Sequence, residues 1–214
     1  MKTIMSESDI RRALVRITHE IIEKNQGIKN IGLIGIKRRG DLIAHRIAER
    51  IQESEGRKIP IGAIDITLYR DDLQLVSEAP IIEGTDITYN INKKIIVLID
   101  DVLYTGRTIR AAIEEILDFG RPKMIQLAVL VDRGNRELPI QADFIGKKVP
   151  TAKDEIVDVH IKELDGKDSV VLHYYKKTKA RLQKTKLKSR IKIPDEPKPR
   201  IRQLTITDLD ENKS

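Results

Sequence analysis

Residues 97–108, VLIDDVLYTGRT, join a buried strand, two adjacent carboxylates and a loop of small residues that leads into a helix. Val97 to Ile99 are an apolar run typical of a buried strand, and Ile109 to Phe119 predict a helix that ends at Gly120. Between them, Thr105 to Thr108 can direct backbone N–H groups and two hydroxyls at an anion beside the helix N-terminus. The segment therefore predicts a strand whose end opens on a phosphate site.

Asp100 and Asp101 follow the apolar run directly and are ionised at neutral pH, so they can accept hydrogen bonds from vicinal hydroxyls such as those of a ribose. In a generic strand, turn and helix, Gly106 would only make the turn and the two acids would only cap the helix. The full order of parts favours the first interpretation, a pocket for a ribose 5-phosphate.

The rest of the chain alternates predicted helices and strands, which indicates an α/β fold with a mainly parallel central sheet flanked by helices. Ser6 to Asp9 fit a capping box, and an apolar helix stripe follows at Ile10, Leu14, Ile17 and Ile21. The further predicted elements are a strand at 31–36, a helix from about Asp41 to Glu53, strands at 60–69 and from Met124 to Val131, and two short strands near 156–163 and 169–174. The connection from Arg70 to Lys94 is long, which suggests a functional lid.

Composition sets only broad limits on the function. A chain of 214 residues with 40% hydrophobic content can bury one good core, and the absence of cysteine excludes disulfides, cysteine metal sites and a thiol nucleophile. No apolar run reaches the roughly 18 residues of a membrane span, and Met1 to Ser8 lack the apolar core of a signal peptide. We therefore expect a soluble, cytoplasmic protein without membrane partners.

The formal net charge of +7 comes from the C-terminal end of the chain. Residues 176–192 hold nine basic and no acidic residues, residues 193–214 hold four basic and five acidic ones, and residues 1–175 keep 27 basic against 28 acidic ones. We therefore expect a neutral domain at 1–175 and a basic, then proline-containing, extension at 176–214. The extension is expected to be disordered or to fold on binding, either adding RNA affinity or serving as a solvated extension.

The 97–108 motif resembles the phosphoribosyl pyrophosphate (PRPP) signature of type I phosphoribosyltransferases. Four further segments resemble, more narrowly, the family of bifunctional pyrimidine (pyr) operon regulators with uracil phosphoribosyltransferase activity: IRRALVRITHEIIEKN at 10–25, GIKRRG at 35–40, DITLYRDDL at 65–73 and GRPKMIQLAVLVDRGNRELPIQADFIGKKVPT at 120–151. The resemblance runs from about residue 9 to 175. It implies the type I phosphoribosyltransferase fold, a central sheet flanked by helices with a small hood.

The resemblance also implies a reaction, in which uracil and PRPP give uridine monophosphate (UMP) and diphosphate. Its catalytic residues would be Asp100, Asp101, Arg70 and Asp71, the last two in the lid, where a solvated charged turn is the alternative. PRPP or nucleotide would contact Lys37, Arg38, Arg39, Gly40, Asp100, Asp101, Val102, Leu103, Tyr104, Thr105, Gly106, Arg107 and Thr108. Arg38 departs from the threonine common in the family, and a basic turn at 37–40 that opens a helix is ordinary by itself.

Uracil would contact Asp132, Arg133, Gly134 and Ile140 of a loop that resembles the family's hood; the alternative for this segment is a plain charged loop. Mg²⁺ would enter with PRPP, held at Asp100 and Asp101 largely through water and diphosphate. The sequence does not identify a general base.

Regulation is the second implied activity, in which uridine nucleotides such as UMP and UTP promote binding to the pyr mRNA leader and so transcription attenuation. The residues implied to face RNA, here called the RNA set, are Arg12, Arg16, His19, Arg136, Lys147, Lys148 and Thr151. The alternative for Arg12 and Arg16 is that they only solvate an amphipathic helix. Asn135 and Gln141 depart from the family's usual histidine and arginine.

Three alternatives compete with the bifunctional interpretation. They are an enzyme for uracil salvage that ignores RNA, a regulator with vestigial catalysis, and a purine-type transferase, the last disfavoured by the pyrimidine-like segment LVDRGNRELPI. The family is typically a homodimer or a higher homo-oligomer, and we expect the same here.

Overall fold

The computed structural model describes residues 1–66 and 84–174, which form eight strands and four helices. The elements in chain order are β1 (Lys2–Met5), α1 (Glu7–Lys24), β2 (Ile31–Ile36), α2 (Arg39–Glu55), β3 (Ile61–Ile64), β4 (Ile95–Leu103), α3 (Arg107–Phe119), β5 (Met124–Asp132), β6 (Phe144–Lys148), β7 (Glu155–His160), α4 (Lys162–Asp165) and β8 (Ser169–Tyr174).

The central sheet has five strands in the order β3-β2-β4-β5-β6, and every neighbouring pair is parallel. β2 is buried along its whole length, and β4 is buried from Ile96 to Asp100. Such continuous apolar runs are expected where helices cover both faces of a parallel sheet. The predicted α/β fold with a mainly parallel central sheet is confirmed.

The two faces of the sheet carry separate cores because side chains alternate along each strand. Val97 and Ile99 pack with residues of α1 and α2 in one core cluster. Ile96 and Leu98 pack with residues of α3 in the other. The pattern is reversed beyond Asp100 and Asp101, because Val102 packs against the first core and Leu103 belongs to the second.

A second, smaller sheet is antiparallel, with the order β1-β8-β7. Its β7 strand contributes Val157 and Val159 to the core that α1 and α2 share. It joins the N-terminal strand β1 to the two strands that follow β6 in the chain.

The predicted elements needed several corrections. The strand predicted at 60–69 ends at Ile64, α2 begins at Arg39 rather than Asp41, and α3 begins at Arg107 rather than Ile109. The last two predicted strands occupy 155–160 and 169–174. β1, β6 and α4 were not predicted, because they are only four or five residues long and two of them are rich in lysine or acidic residues.

The capping box at the start of α1 is confirmed. The Ser6 hydroxyl accepts a hydrogen bond from the Asp9 backbone N–H at 3.3 Å, and an Asp9 carboxylate oxygen accepts one from the Ser6 backbone N–H at 2.9 Å. These two bonds fix the end of α1 that precedes Arg12 and Arg16.

Candidate active site and RNA-facing surface

A cavity of about 650 Å³ lies at the carboxyl ends of the central strands β2 and β4. Ligand sites of parallel α/β sheets form at this edge, where loops and helix N-termini meet. The cavity is lined by Ile36, Lys37, Arg38, Arg39, Asp100, Asp101, Val102, Leu103, Tyr104, Thr105, Gly106, Arg107, Thr108, Ile109, Arg133, Val157, Asp158, Val159 and His160. It therefore brings together the predicted PRPP residues, apart from Gly40.

The two adjacent carboxylates are oriented by the backbone of β4. An Asp100 carboxylate oxygen accepts a hydrogen bond from the Asp101 N–H at 2.9 Å, and an Asp101 carboxylate oxygen accepts one from the Val102 N–H at 2.8 Å. Asp100 is only 6% exposed, whereas Asp101 is partly exposed. The pair is thus held beside the cavity in fixed orientations, as binding of a vicinal diol requires.

The segment Thr105–Thr108, here called the phosphate loop after its predicted ligand, leads directly into α3. Gly106 caps the helix with φ +93°, a left-handed conformation that favours glycine. The Arg107 N–H donates to the Thr105 hydroxyl at 3.4 Å, and the Arg110 N–H donates to the Gly106 carbonyl at 2.9 Å. The loop therefore presents the start of a 13-residue helix to the cavity, a favourable place for a phosphate.

A second loop, residues 133–140, packs against the phosphate loop. The N–H groups of Glu137 and Leu138 both donate to the Thr105 carbonyl, at 3.0 and 3.1 Å. The Arg136 guanidinium pairs with the Asp132 carboxylate at 2.6 Å. The same guanidinium donates to four carbonyls, those of Leu103, Tyr104, Gly134 and Ile140. Arg136 thus ties the two loops together.

We expect Arg136→Lys to loosen the phosphate loop while keeping the positive charge. The compact lysine ammonium cannot make all the hydrogen bonds that the guanidinium donates to four carbonyls. We therefore expect the free energy of unfolding to fall by about 2 kcal/mol and the affinity for UMP to fall by roughly fivefold. Calorimetric UMP titration and urea unfolding measure the two effects. If only RNA binding changes, Arg136 acts at the RNA surface instead.

The segment Lys37–Gly40 leads from β2 into α2 and contains a cis peptide bond between Lys37 and Arg38. The Lys37 N–H donates to the Ile64 carbonyl of β3 at 2.9 Å. A Cβ atom added to Gly40 would lie 2.4 Å from the Ile99 carbonyl oxygen. The loop can therefore sit close to the carboxylates only because residue 40 has no side chain.

The side chain of Arg39 lines the cavity and pairs with Asp165 of α4, with its Nη2 atom 3.0 Å from Oδ1. Lys37, Arg38 and Arg39 thus give this wall of the cavity three cationic side chains. A cationic loop that opens a helix suits an anionic ligand such as diphosphate.

Sequence reasoning missed the wall formed by β7. Val157 and Val159 are buried, while Asp158 and His160 between them are partly exposed, and all four residues line the cavity. The sequence predicted only a short strand near 156–163. Nothing in the local sequence indicated that this strand returns to the cavity, because that depends on the topology of the second sheet.

Of the four residues predicted to contact uracil, only Arg133 lines the cavity. Its guanidinium stacks 4.0 Å from the centre of the Tyr104 ring and donates to the Thr151 hydroxyl at 3.0 Å. Burial lowers the pKa of Arg133. Asp132, Gly134 and Ile140 belong to the contacts beneath the phosphate loop, and their predicted role toward uracil stays a prediction.

Part of the RNA set surrounds a second, more open depression of about 320 Å³ between α1 and β6. Arg12, Arg16 and Lys147 line it together with Met5, Asp9, Ala13 and Gly146. Arg16 donates to the carbonyls of Ile145 and Gly146, whereas the Arg12 side chain is 68% exposed.

The rest of the RNA set divides into two groups. His19 and Lys148 are exposed, His19 on α1 and Lys148 at the end of β6. Arg136 and Thr151 lie apart from the depression, bonded around the phosphate loop and Arg133. Contact of any of these residues with RNA stays a prediction.

Two predicted catalytic residues, Arg70 and Asp71, lie outside the described residues. The 176–214 extension also lies outside them. Within the described ranges 1–66 and 84–174, no helix is both long and apolar enough to cross a lipid bilayer.

Curated relatives share the name Bifunctional protein PyrR. The protein of Caldicellulosiruptor bescii is 59% identical over 171 residues, which are 80% of this chain and 94% of that protein. The protein of Acetivibrio thermocellus is 60% identical over 169 residues, 79% of this chain and 92% of that protein. The protein of Clostridioides difficile is 57% identical over 169 residues, 79% of this chain and 96% of that protein.

Solved structures show a similar fold at low sequence identity. The hypoxanthine phosphoribosyltransferase of Staphylococcus aureus is similar with a TM-score of 0.58 at 22% identity, covering 79% of this chain and 90% of that one. The enzyme of Trypanosoma cruzi gives a TM-score of 0.59 at 17% identity, covering 81% and 97%.

Residues 3–164 match the phosphoribosyl transferase domain family. Together with the structural neighbours, this match confirms the predicted type I phosphoribosyltransferase fold. The chain belongs to the phosphoribosyl transferase domain family and, within it, to the bifunctional PyrR proteins.

Proposed function

We propose that the protein is a uridine-nucleotide-responsive regulator that binds the pyr mRNA leader, with uracil phosphoribosyltransferase activity. One observation carries the enzymatic half of the proposal. The cavity that is lined by Asp100, Asp101 and the phosphate loop is also lined by Lys37 and Arg39. A single molecule of PRPP offers a diol, a 5-phosphate and a diphosphate to these three groups of residues.

The reaction would transfer the ribosyl group from diphosphate to uracil. A bond forms between uracil N1 and the anomeric carbon, the bond from that carbon to diphosphate oxygen breaks, and the N1 proton is lost. Positive charge builds on the ribose ring while negative charge grows on the leaving group. Carboxylates beside the ribose would stabilise the positive charge, and cations around the diphosphate would stabilise the negative charge. Many active sites use fixed charges in this way.

Each group of residues would bind a different part of PRPP. Asp100 and Asp101 would accept hydrogen bonds from the ribose hydroxyls, the phosphate loop would hold the 5-phosphate, and Arg39 would hold diphosphate. Uracil would then lie toward β7 and Arg133, the remaining walls of the cavity. Its imide edge offers donors and acceptors that backbone groups can match.

The donor atoms present fit Mg²⁺ entering with the substrate. Carboxylate oxygens of Asp100 and Asp101 are the hard ligands that this ion prefers. The part of the chain that the structure describes contains no group of three or more histidine or acidic side chains that could hold a metal. Water and the diphosphate of PRPP would therefore supply the other ligands, and the ion would neutralise charge on the diphosphate.

The regulatory half of the proposal rests on family membership and on the depression between α1 and β6. Arg12 lines the depression, and His19 and Lys148 are exposed on α1 and at the end of β6, so all three would be accessible to RNA phosphates. Bound UMP or UTP would occupy the same cavity as PRPP and favour binding to the leader. The same surface argues against a salvage enzyme that ignores RNA, and family membership argues against a purine-type transferase. Assembly as a homodimer or larger homo-oligomer remains a prediction.

The decisive experiment measures both activities on the full chain. UMP formation from uracil and PRPP should require Mg²⁺, and hypoxanthine should not replace uracil. Binding of a labelled pyr leader RNA should tighten when UMP is added. Turnover without RNA binding would support the salvage enzyme, and nucleotide-dependent RNA binding without turnover would support a regulator with vestigial catalysis.

Arg12→Gln is expected to weaken leader binding and to reduce the slope of log affinity against log salt by about one, because one phosphate contact is lost. Arg11→Gln is the matched control, since Arg11 is an exposed neighbour on α1 that does not line the depression. Electrophoretic mobility shifts at several salt concentrations measure both variants. Equal effects of the two substitutions would mean that only net charge matters.

The 176–214 extension would add sequence-independent RNA affinity, because nine basic residues lie in its first 17 positions, 176–192. Deletion of 176–214 should then flatten the salt dependence of leader binding without changing UMP formation. An unchanged salt dependence would leave the extension as a solvated segment.

A further inference from the structure

Two arginines on one face of α2 are paired with acids on or beside α4. Arg39 and Arg46 are seven positions apart, or about two helical turns, so they point to the same side of α2. Arg46 pairs with Glu163 and Asp168, and Arg39 pairs with Asp165. Of the two arginines, only Arg39 lines the cavity. The pairs therefore have the same architecture but differ in their distance from the site.

The Arg39 pair is bidentate. Nε of Arg39 lies 3.3 Å from Oδ2 of Asp165, and Nη2 lies 3.0 Å from Oδ1. Oδ2 also accepts a hydrogen bond from the Ile161 backbone N–H at 2.8 Å. The Asp165 side chain is only 18% exposed. Its carboxylate thus accepts from the backbone of Ile161 and from the guanidinium of Arg39.

This geometry leaves a defined edge of the guanidinium for a ligand. A guanidinium has five N–H groups, and the pair with Asp165 uses the edge formed by Nε and Nη2. The edge formed by Nη1 and the second hydrogen of Nη2 is a further fork that matches two oxygens of a phosphate. Fixing the first edge therefore fixes the direction of the second.

We propose that Asp165 is a positioning residue that orients Arg39 toward the diphosphate group of PRPP. The proposal rests on the proposed function, because it takes diphosphate as the ligand of the Lys37–Gly40 loop. Asp165 itself touches no substrate. It lowers the cost of immobilising a long, flexible side chain when PRPP binds, and it contributes nothing to ligands that lack a diphosphate.

Asp165→Asn tests the proposal with little change in shape. The asparagine oxygen can still accept from Ile161 and from Nε of Arg39, but its amide group then faces Nη2 as a second donor. The bidentate pair is lost, while the backbone contact is kept. We expect affinity for inorganic diphosphate and for PRPP to fall by roughly tenfold.

Binding of UMP is the internal control. UMP carries the ribose, the 5-phosphate and the base but no diphosphate, so its affinity should change less than twofold in Asp165→Asn. Glu163→Gln is the matched variant, because it weakens the Arg46 pair on the same helix, and neither Glu163 nor Arg46 lines the cavity. It should leave the affinities for diphosphate, PRPP and UMP unchanged.

Isothermal titration measures the affinity of the full chain for inorganic diphosphate, PRPP and UMP. The same titrations are repeated in an Arg39→Met background. Asp165→Asn should have no further effect on diphosphate affinity in that background. The proposal is overturned if UMP affinity falls equally, if no affinity changes, or if diphosphate binds more tightly because a competing carboxylate is gone. If the unaltered protein binds neither PRPP nor UMP, the proposed function fails independently of Asp165.

Discussion

Asp101→Asn is expected to reduce UMP formation by about 100-fold or more. The substitution keeps the size of the side chain but replaces a charged acceptor by a neutral one, and charge-assisted hydrogen bonds are roughly twice as strong as neutral ones. The lost charge would also have opposed the positive charge that builds on the ribose ring. Steady-state rates at saturating and limiting PRPP measure the loss in kcat and in kcat/KM.

The same substitution should weaken UMP binding and with it the UMP-dependent gain in RNA affinity, because both activities are proposed to use one ribose site. Asp118→Asn is the control, since Asp118 is an exposed aspartate on α3 that does not line the cavity. Retention of both turnover and UMP affinity in Asp101→Asn would refute the assignment of the carboxylate pair to the ribose.

The part of the site that could be predicted from sequence is the part that is continuous in sequence. Residues 97–108 contain a strand, its acids, a glycine turn and a helix start, so local propensity already specifies their order in space. The loop at 37–40 could be placed at the same site for a different reason, because it follows a predicted strand and parallel strands end at one edge of the sheet. Family resemblance then connected the two segments, and the family matches confirm that resemblance.

The remaining walls of the cavity depend on contacts between distant segments. β7 reaches the cavity through the antiparallel sheet, and Arg39 finds Asp165 across 126 positions of the chain. Arg136 is a case in which the sequence suggests exposure and the fold gives the residue buried partners. A charged residue in a charged loop suggests an exposed surface, but in the fold it satisfies four buried or half-buried carbonyls beneath the phosphate loop.

Gly40→Ala is expected to lower both stability and PRPP affinity, because the start of α2 lies against the backbone of β4. An added Cβ atom would lie 2.4 Å from the Ile99 carbonyl oxygen and 3.0 Å from the Asp100 Cα atom. Both atoms belong to the backbone of a buried central strand, so they cannot rotate away. Alanine gains about 1 kcal/mol of helix propensity over glycine, whereas overpacking of this kind costs about 1–3 kcal/mol or more.

Because the 2.4 Å contact is with fixed backbone, we place the steric cost near the upper end of this range, at about 3 kcal/mol, and expect a net loss of roughly 2 kcal/mol in the free energy of unfolding. Relief of the overlap must move α2 away from β4, which separates Arg39 from Asp100 and should reduce PRPP affinity by at least tenfold. Urea unfolding and PRPP titration measure the two effects.

Gly56→Ala is the control at the other end of α2, where φ is +67° and nothing lies within 4 Å of the added Cβ. Its left-handed conformation should cost about 1 kcal/mol and leave PRPP binding unchanged. Equal losses of affinity in both variants would show that general destabilisation, not the approach of α2 to the carboxylates, governs the site.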